Sequence, residues 1–189
     1  MPHFPPPPRH PLHVPFRFRS ITYEAVLDPH RAPPLYVQKG SHRFPSPTKT
    51  EWAPWKLLVG DVDGDGYPDL LIGIVKSTRY LPQRHTTLFV YTFNGKSIEK
   101  KWLGSTMGRP LLDFCLGPAG TDGWQPLVTL QRAPYGKVAL NRYRWSGFGF
   151  KMDSEESKWP TASKLHSQRG KIVFEVAGRT VAIDPKTWK

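Results

Sequence analysis

From residue 55 onward, apolar positions fall into short runs separated by turn residues. The runs at residues 56–60, 70–75 and 87–93 predict buried β-strands. Asn94-Gly95 follows the third run, and Asn-Gly between strand-like runs is a strong hairpin signal, so residues 96–102 complete a fourth strand. This order of strand, loop, strand, connection, strand, turn and strand is typical of one propeller blade.

The same order of strands and turns occurs a second time, at residues 115–150. Gly66 aligns with Gly123 at an offset of 57 residues, and Gly95 aligns with Gly147 at an offset of 52. Repeat periods of this size indicate a repeat architecture such as a propeller. Two further strands at residues 170–176 and 179–183 predict part of a third copy. No segment carries the apolar stripe of a helix.

The predicted fold is therefore all-β, with antiparallel four-stranded propeller-like blades in about two and a half repeats. A closed propeller takes four to eight blades, so we do not expect a closed ring from one chain. The repeat domain is predicted to span residues 51–189. Residues 1–50 are rich in proline and are predicted to be partly extended or disordered, with strand candidates at residues 16–23 and 35–37.

The composition limits the classes of function. The formal net charge is +12, yet no run of five or six basic residues occurs. The sequence Arg142-Tyr143-Arg144-Trp145 places arginines on one face of a strand and aromatics on the other. A basic nucleic-acid-binding β protein is therefore the alternative function, and a half-buried strand with its aromatics inward is the simpler explanation.

Other motifs are absent from the sequence. It contains no His-Glu-x-x-His, Gly-x-Ser-x-Gly or Cys-x-x-Cys motif, so we expect no enzymatic activity. The single cysteine, Cys115, allows no intrachain disulfide, and its apolar surroundings predict a buried thiol. No stretch approaches the ~20 apolar residues of a membrane span. Prolines occupy the place of the apolar region of a signal peptide, so the protein either stays in the cytoplasm or lacks its original leader.

One loop carries a pattern of carboxylates that suits a hard cation. Asp61, Asp63 and Asp65 alternate, and Asp69 follows four residues later. Calcium takes six to eight oxygen ligands in flexible geometry, and these carboxylates converge if the backbone wraps around the ion. Two glycines, Gly64 and Gly66, permit the positive φ angles that such a wrap needs, and the backbone carbonyl of Tyr67 adds an oxygen.

The spacing of the carboxylates also resembles two other kinds of loop. An EF-hand needs a bidentate Glu at its twelfth position, where this chain has Ile72, and the flanks of the loop are strand-like. The EF-hand is therefore excluded. A turn rich in Asp that holds no metal remains the alternative. Magnesium is disfavoured because it dehydrates reluctantly.

Residues 59–73, with the core Asp-x-Asp-Gly-Asp-Gly-x-x-Asp followed by an apolar strand, resemble the FG-GAP/VCBS repeat of integrin-α-type β-propellers. The resemblance implies calcium as the cofactor and a role in adhesion or surface recognition outside the cell. By position in the motif it also implies a ligand set, namely the carboxylates of Asp61, Asp63, Asp65 and Asp69 and the carbonyl of Tyr67.

The second copy departs from this pattern. The positions of Asp61, Asp63 and Asp69 are taken there by Pro118, Gly120 and Pro126, so we expect one calcium per chain. An incomplete set of blades leaves strand edges that must be covered. We therefore expect a non-enzymatic calcium-binding module that mediates protein–protein or surface recognition, with a protein partner or with self-association.

Overall fold

The protein is an all-β chain in the computed structural model, which describes residues 4–47, 53–77, 82–104, 107–185 and 188. These residues form fifteen strands and one short 3₁₀ turn at Pro134–Gly136. The chain divides into two compact units, which are described separately. Unit 1 contains Met1–Gly60 and Gly66–Thr106, and unit 2 contains Asp61–Asp65 and Met107–Lys189.

Unit 1 contains two four-stranded antiparallel sheets, each with its strands in sequence order. The first sheet comprises β1 (Leu12–Phe18), β2 (Ile21–Leu27), β3 (Leu35–Lys39) and β4 (His42–Pro45). The second sheet comprises β5 (Ala53–Gly60), β6 (Asp69–Lys76), β7 (His85–Phe93) and β8 (Ile98–Leu103). This meander of four strands is the strand arrangement of a propeller blade.

Aromatic and aliphatic side chains from both sheets of unit 1 share one buried cluster. Phe93 at the end of β7 is fully buried, and its ring lies 5.0 Å from that of Tyr23 and 5.2 Å from that of Phe44. Strand β6 is buried along almost its whole length, as expected for a continuous apolar run in the middle of a sheet. The core thus forms between the two sheets and fixes the ends of β5 and β6, where the acidic loop begins and ends.

Unit 2 contains a four-stranded and a three-stranded antiparallel sheet, again with strands in sequence order. The first comprises β9 (Leu111–Leu116), β10 (Leu127–Arg132), β11 (Val138–Trp145) and β12 (Phe150–Trp159). The second comprises β13 (Ser163–Gln168), β14 (Lys171–Val176) and β15 (Arg179–Ile183). Both sheets contribute to one core, in which the rings of Trp159 and Phe174 meet edge to face at 5.0 Å.

The predicted fold class is confirmed. From β5 onward the chain forms two four-stranded antiparallel sheets and a three-stranded one, as the repeat of strands and turns predicted. Each sheet has two outer strands, so none closes on itself within the described residues. None of the helical segments described is long and apolar enough to cross a membrane.

The proline-rich N-terminal segment contributes more structure than its composition indicated. Residues 12–45 form a complete four-stranded sheet, where the sequence predicted only two strands. Pro15 and Pro45 lie in β1 and β4, which are the two outer strands of this sheet. Proline is tolerated in an outer strand because one side of that strand has no neighbour to receive its N–H. The predicted boundary between residues 50 and 51 falls outside the described residues and stays a prediction.

Candidate metal centre

The acidic loop connects β5 to β6, and the pairing of Gly60 with Asp69 closes it at its base. Gly64 and Gly66 have φ angles of +76° and +78°, which residues with a Cβ rarely adopt. The backbone therefore turns sharply twice within residues 61–66. Both glycines thus adopt the positive φ angles that the sequence analysis expected of them.

Asp61, Asp63 and Asp65 come together in this loop. Each offers a carboxylate oxygen, and these oxygens lie within 4.8 Å of one another. Asp61 and Asp63 are half-buried, and Asp65 is exposed. Among the described residues, no other group of three or more Asp, Glu, His or Cys side chains brings its donor atoms together in this way. A set of carboxylate oxygens matches the preference of calcium for hard ligands.

Hydrogen bonds within the loop shape it further. One carboxylate oxygen of Asp61, Oδ1, accepts hydrogen bonds from the backbone N–H of Asp63 at 3.3 Å and of Gly64 at 2.7 Å. Aspartate side chains commonly stabilise turns in this way. The same carboxylate thus fixes the turn and takes part in the converging group, so both interpretations of the loop share this contact.

Gln125 braces the loop from the corresponding loop of the second copy. The backbone N–H of Asp61 donates to Oε1 of Gln125 at 3.1 Å, and the N–H of Gln125 donates to the Asp61 carbonyl at 2.7 Å. A third hydrogen bond, at 3.2 Å, runs from Nε2 of Gln125 to the carbonyl of Gly117. Sequence reasoning missed this residue, because nothing local to Gln125 indicates a contact 64 positions away.

Asp69 and Tyr67 belong to unit 1 and are described there. Asp69 is fully buried, and the ammonium of Lys101 donates to both of its carboxylate oxygens, at 2.9 and 3.0 Å. The hydroxyl of Thr92 donates to Oδ1 of Asp69 as well. The Tyr67 hydroxyl accepts a hydrogen bond from Arg19 at 3.1 Å. The parts of Asp69 and of the Tyr67 carbonyl in metal binding stay predictions.

Strand β11 carries the Arg-Tyr-Arg-Trp sequence that suggested nucleic-acid binding. Tyr143 is buried, and its hydroxyl donates to the Met107 carbonyl at 3.0 Å and accepts from Gln131 at 2.8 Å. Burial raises the pKa of the Tyr143 phenol, and the hydrogen bond from Gln131 opposes part of this rise. Arg144 is exposed, as the simpler explanation of this strand predicted, whereas Arg142 is half-buried.

Comparison with known proteins gives one finding that bears on this loop. Residues 53–74 match the family model for the FG-GAP repeat, and the match covers β5, the acidic loop and most of β6. A search of curated proteins found no match to the chain. The match at the acidic loop and the all-β fold of blade-like sheets together support an FG-GAP-type repeat protein.

Proposed function

We propose that this protein is a non-enzymatic, calcium-binding repeat module that recognises a protein partner or a second copy of itself. The observation that carries the calcium part is the convergence of three carboxylates within 4.8 Å, in a loop that matches the FG-GAP repeat. Three negative charges at such separations repel one another, and a divalent cation offsets that repulsion.

The donor set fits calcium. Asp61, Asp63 and Asp65 would hold the ion, and the resemblance adds the carbonyl of Tyr67 and the carboxylate of Asp69. Bound calcium supplies positive charge and no redox chemistry. The residues of the chain do the rest, since Gly64 and Gly66 let the backbone wrap and Gln125 holds Asp61 in place through hydrogen bonds to the backbone N–H and carbonyl of Asp61.

The role of the ion in this proposal is structural. It fixes the turn between two strands of a sheet, and so the surface that the neighbouring loops present. Open sheets leave outer strands whose unpaired backbone groups other chains can contact. Two loop side chains, Tyr135 at 99% exposure and Phe148 at 87%, offer apolar contact points.

Titration calorimetry with calcium tests the metal site. We expect one site per chain, because the second loop replaces three of the four carboxylates. Affinity is expected near the 10⁻⁴ to 10⁻³ M order that extracellular calcium modules show. The variant Asp63→Asn should bind at least about tenfold more weakly, since a neutral amide replaces a charged ligand. Two equivalent sites, or no heat at saturating calcium, would contradict the proposal.

Light scattering after size exclusion tests the recognition part, on the full chain with calcium and with chelator. A calcium-dependent dimer would support self-association. A monomer in both conditions leaves a partner protein as the prediction, to be tested by calcium-dependent retention on a column of the immobilised chain. Partners retained equally in calcium and chelator would separate recognition from the metal and overturn this part.

A further inference from the structure

A cavity of about 670 Å³ lies within unit 2, and its lining is basic. The loop at residues 118–126 forms one wall, β11 contributes a second, and the turn between β13 and β14 forms a third. The charged side chains in the lining are four basic and two acidic: Arg142, Arg144, Arg169, Lys171, Asp153 and Asp184. Its volume falls in the roughly 300–1,000 Å³ range of small-molecule sites.

Two of the four basic side chains already form hydrogen bonds within the protein. Arg142 donates to Asp153 at 2.8 Å and to the backbone carbonyls of Pro185 and Trp188 at 2.9 and 3.1 Å. Arg144 donates to Asp122 at 3.2 Å, with both side chains about half exposed. These contacts position the guanidinium groups and neutralise part of their charge.

The other two, Arg169 and Lys171, are exposed, and no side-chain hydrogen bond or ion pair to either occurs among the described residues. They flank Gly170 in the tight turn between β13 and β14, where Gln168 pairs with Lys171. Arg169 has a φ of +50°, a left-handed conformation that glycine and asparagine adopt more readily than arginine. Two cationic side chains without a side-chain partner among the described residues therefore line the cavity. One of them, Arg169, has a backbone conformation that is costly for arginine.

A flat surface accompanies these cations. Trp124 lines the cavity half-buried, and the guanidinium carbon of Arg144 lies 4.4 Å from the centroid of its ring. Indole and guanidinium are both planar groups on which a nucleobase stacks. An acidic peptide or a sulfated sugar has charge for Arg169 and Lys171 but need not bring an aromatic ring for this surface.

We infer that this cavity binds a phosphate-bearing ligand with a planar ring, of which a nucleotide is the simplest form. Arg169 and Lys171 contact the phosphate, because both offer donors at the cavity and Arg presents a fork that matches phosphate oxygens. The ring stacks against Trp124 and Arg144. The ligand has two sources, a free nucleotide or one unit of a single-stranded nucleic acid.

Fluorescence polarisation with a labelled oligo(dT) and competition by AMP tests this inference in calcium-containing buffer. Displacement of the oligonucleotide by AMP at comparable affinity per site identifies a free nucleotide as the source. Affinity that grows with oligonucleotide length and falls steeply with salt identifies single-stranded nucleic acid. Binding of neither probe overturns the inference, and so does tighter binding of an aspartate-rich peptide or of a sulfated disaccharide.

The variant Arg169→Asn separates binding from folding. Asparagine suits the left-handed turn better than arginine, so we expect this variant to be at least as thermally stable as the natural chain. It should nevertheless bind the probe about fivefold to thirtyfold more weakly, because a charge-assisted contact to phosphate is lost. Trp124→Leu should weaken binding about fivefold to a hundredfold through lost stacking.

Arg179→Asn is the matched control. Arg179 is exposed on the neighbouring strand β15 and does not line the cavity, so its replacement removes the same charge from the same sheet. We expect less than a twofold change in affinity for this variant. Equal losses for Arg169→Asn and Arg179→Asn would show diffuse attraction to a basic surface and would overturn a defined site.

Discussion

Replacing Asp63 by asparagine should stabilise the chain in chelator and lose most of that advantage when calcium is added. Without calcium, the carboxylates of Asp61, Asp63 and Asp65 repel one another, and Asp63 takes part in two of the three pairs. Asparagine keeps the size and one oxygen of the side chain but removes its charge. The variant should therefore be more stable than the natural chain in chelator and should gain less stability from calcium.

The size of both effects follows from the geometry. Two unit charges 4.8 Å apart repel by about 0.9 kcal/mol in a water-like medium, and closer or less solvated pairs repel more. Asp63→Asn therefore relieves about 1–2 kcal/mol in chelator, before salt screens part of it. Calcium at a hundred times its Kd stabilises the natural chain by about 2.7 kcal/mol. A tenfold weaker site removes about 1.4 kcal/mol of that gain.

Urea unfolding of both chains, in chelator and in calcium, measures the four free energies of unfolding that this comparison needs. Asp28→Asn is a suitable control, because Asp28 also stabilises a turn, accepting a hydrogen bond from the His30 N–H at 2.9 Å, and is not a member of the acidic group. That variant should respond to calcium like the natural chain. If the natural chain unfolds identically in chelator and in calcium, the loop is an acid-rich turn and the reasoning is refuted.

Three further predictions concern single contacts. Lys101→Met removes the ammonium from the fully buried carboxylate of Asp69 and should cost about 3–5 kcal/mol in urea unfolding; adding Asp69→Asn should recover a large part of it. Burial raises the pKa of Tyr143, so the contribution of this side chain to stability is complete below pH 10, its ordinary pKa, and is lost as the pH rises through the pKa of the folded state. Tyr143→Phe should therefore flatten the alkaline side of the plot of unfolding free energy against pH. An unchanged alkaline side would contradict this. Gly64→Ala should cost more than Gly66→Ala in thermal unfolding, by about 1 kcal/mol or more, because both have positive φ but only a Cβ at Gly64 would meet a backbone oxygen, at 2.9 Å; equal costs would show that backbone strain alone decides.

The sequence predicted the strands of the repeats well because their signals are local. The apolar run at residues 70–75 lies within β6, Asp69–Lys76, and the hairpin signal at Asn94-Gly95 lies between β7 and β8. The turn differs in detail, because Asn94 accepts hydrogen bonds from the backbone N–H groups of Lys96 and Ser97 and the loop takes four residues. The local sequence therefore predicted the position of the hairpin but not the length of its loop.

The first sheet was harder to predict, because proline content argues against strands in general but not against outer strands. Strand β1 alternates half-buried and exposed positions from Leu12 to Arg17 and ends at the buried Phe18, a period-two pattern that the adjoining prolines obscured. The partner of β1 is β2, whose fully buried Ala25 and Leu27 belong to the core of unit 1. Which strand becomes an outer one depends on the whole sheet and cannot be predicted from a short window of sequence.

The candidate site likewise has residues that the sequence predicted and contacts that it did not. Its three converging carboxylates lie within five residues, so spacing alone indicated them. The contacts that support the loop and its neighbours are distant in sequence, since Gln125 reaches Asp61 and Lys101 reaches Asp69 across 64 and 32 positions. No pattern within one repeat predicts such pairs, because they depend on how the strands bring separate loops together.

The second loop shows what the turn needs for folding alone. It connects β9 to β10 as the first connects β5 to β6, and it is closed by backbone hydrogen bonds from Gly117 to Pro126 at 2.8 Å and from Gly120 to Trp124 at 2.9 Å. It achieves this with one carboxylate, Asp122. A strand–loop–strand connection in this chain therefore does not require three acidic side chains. In the first loop their mutual repulsion is a cost to folding that the turn itself does not explain, and the proposed binding of a divalent cation would offset it.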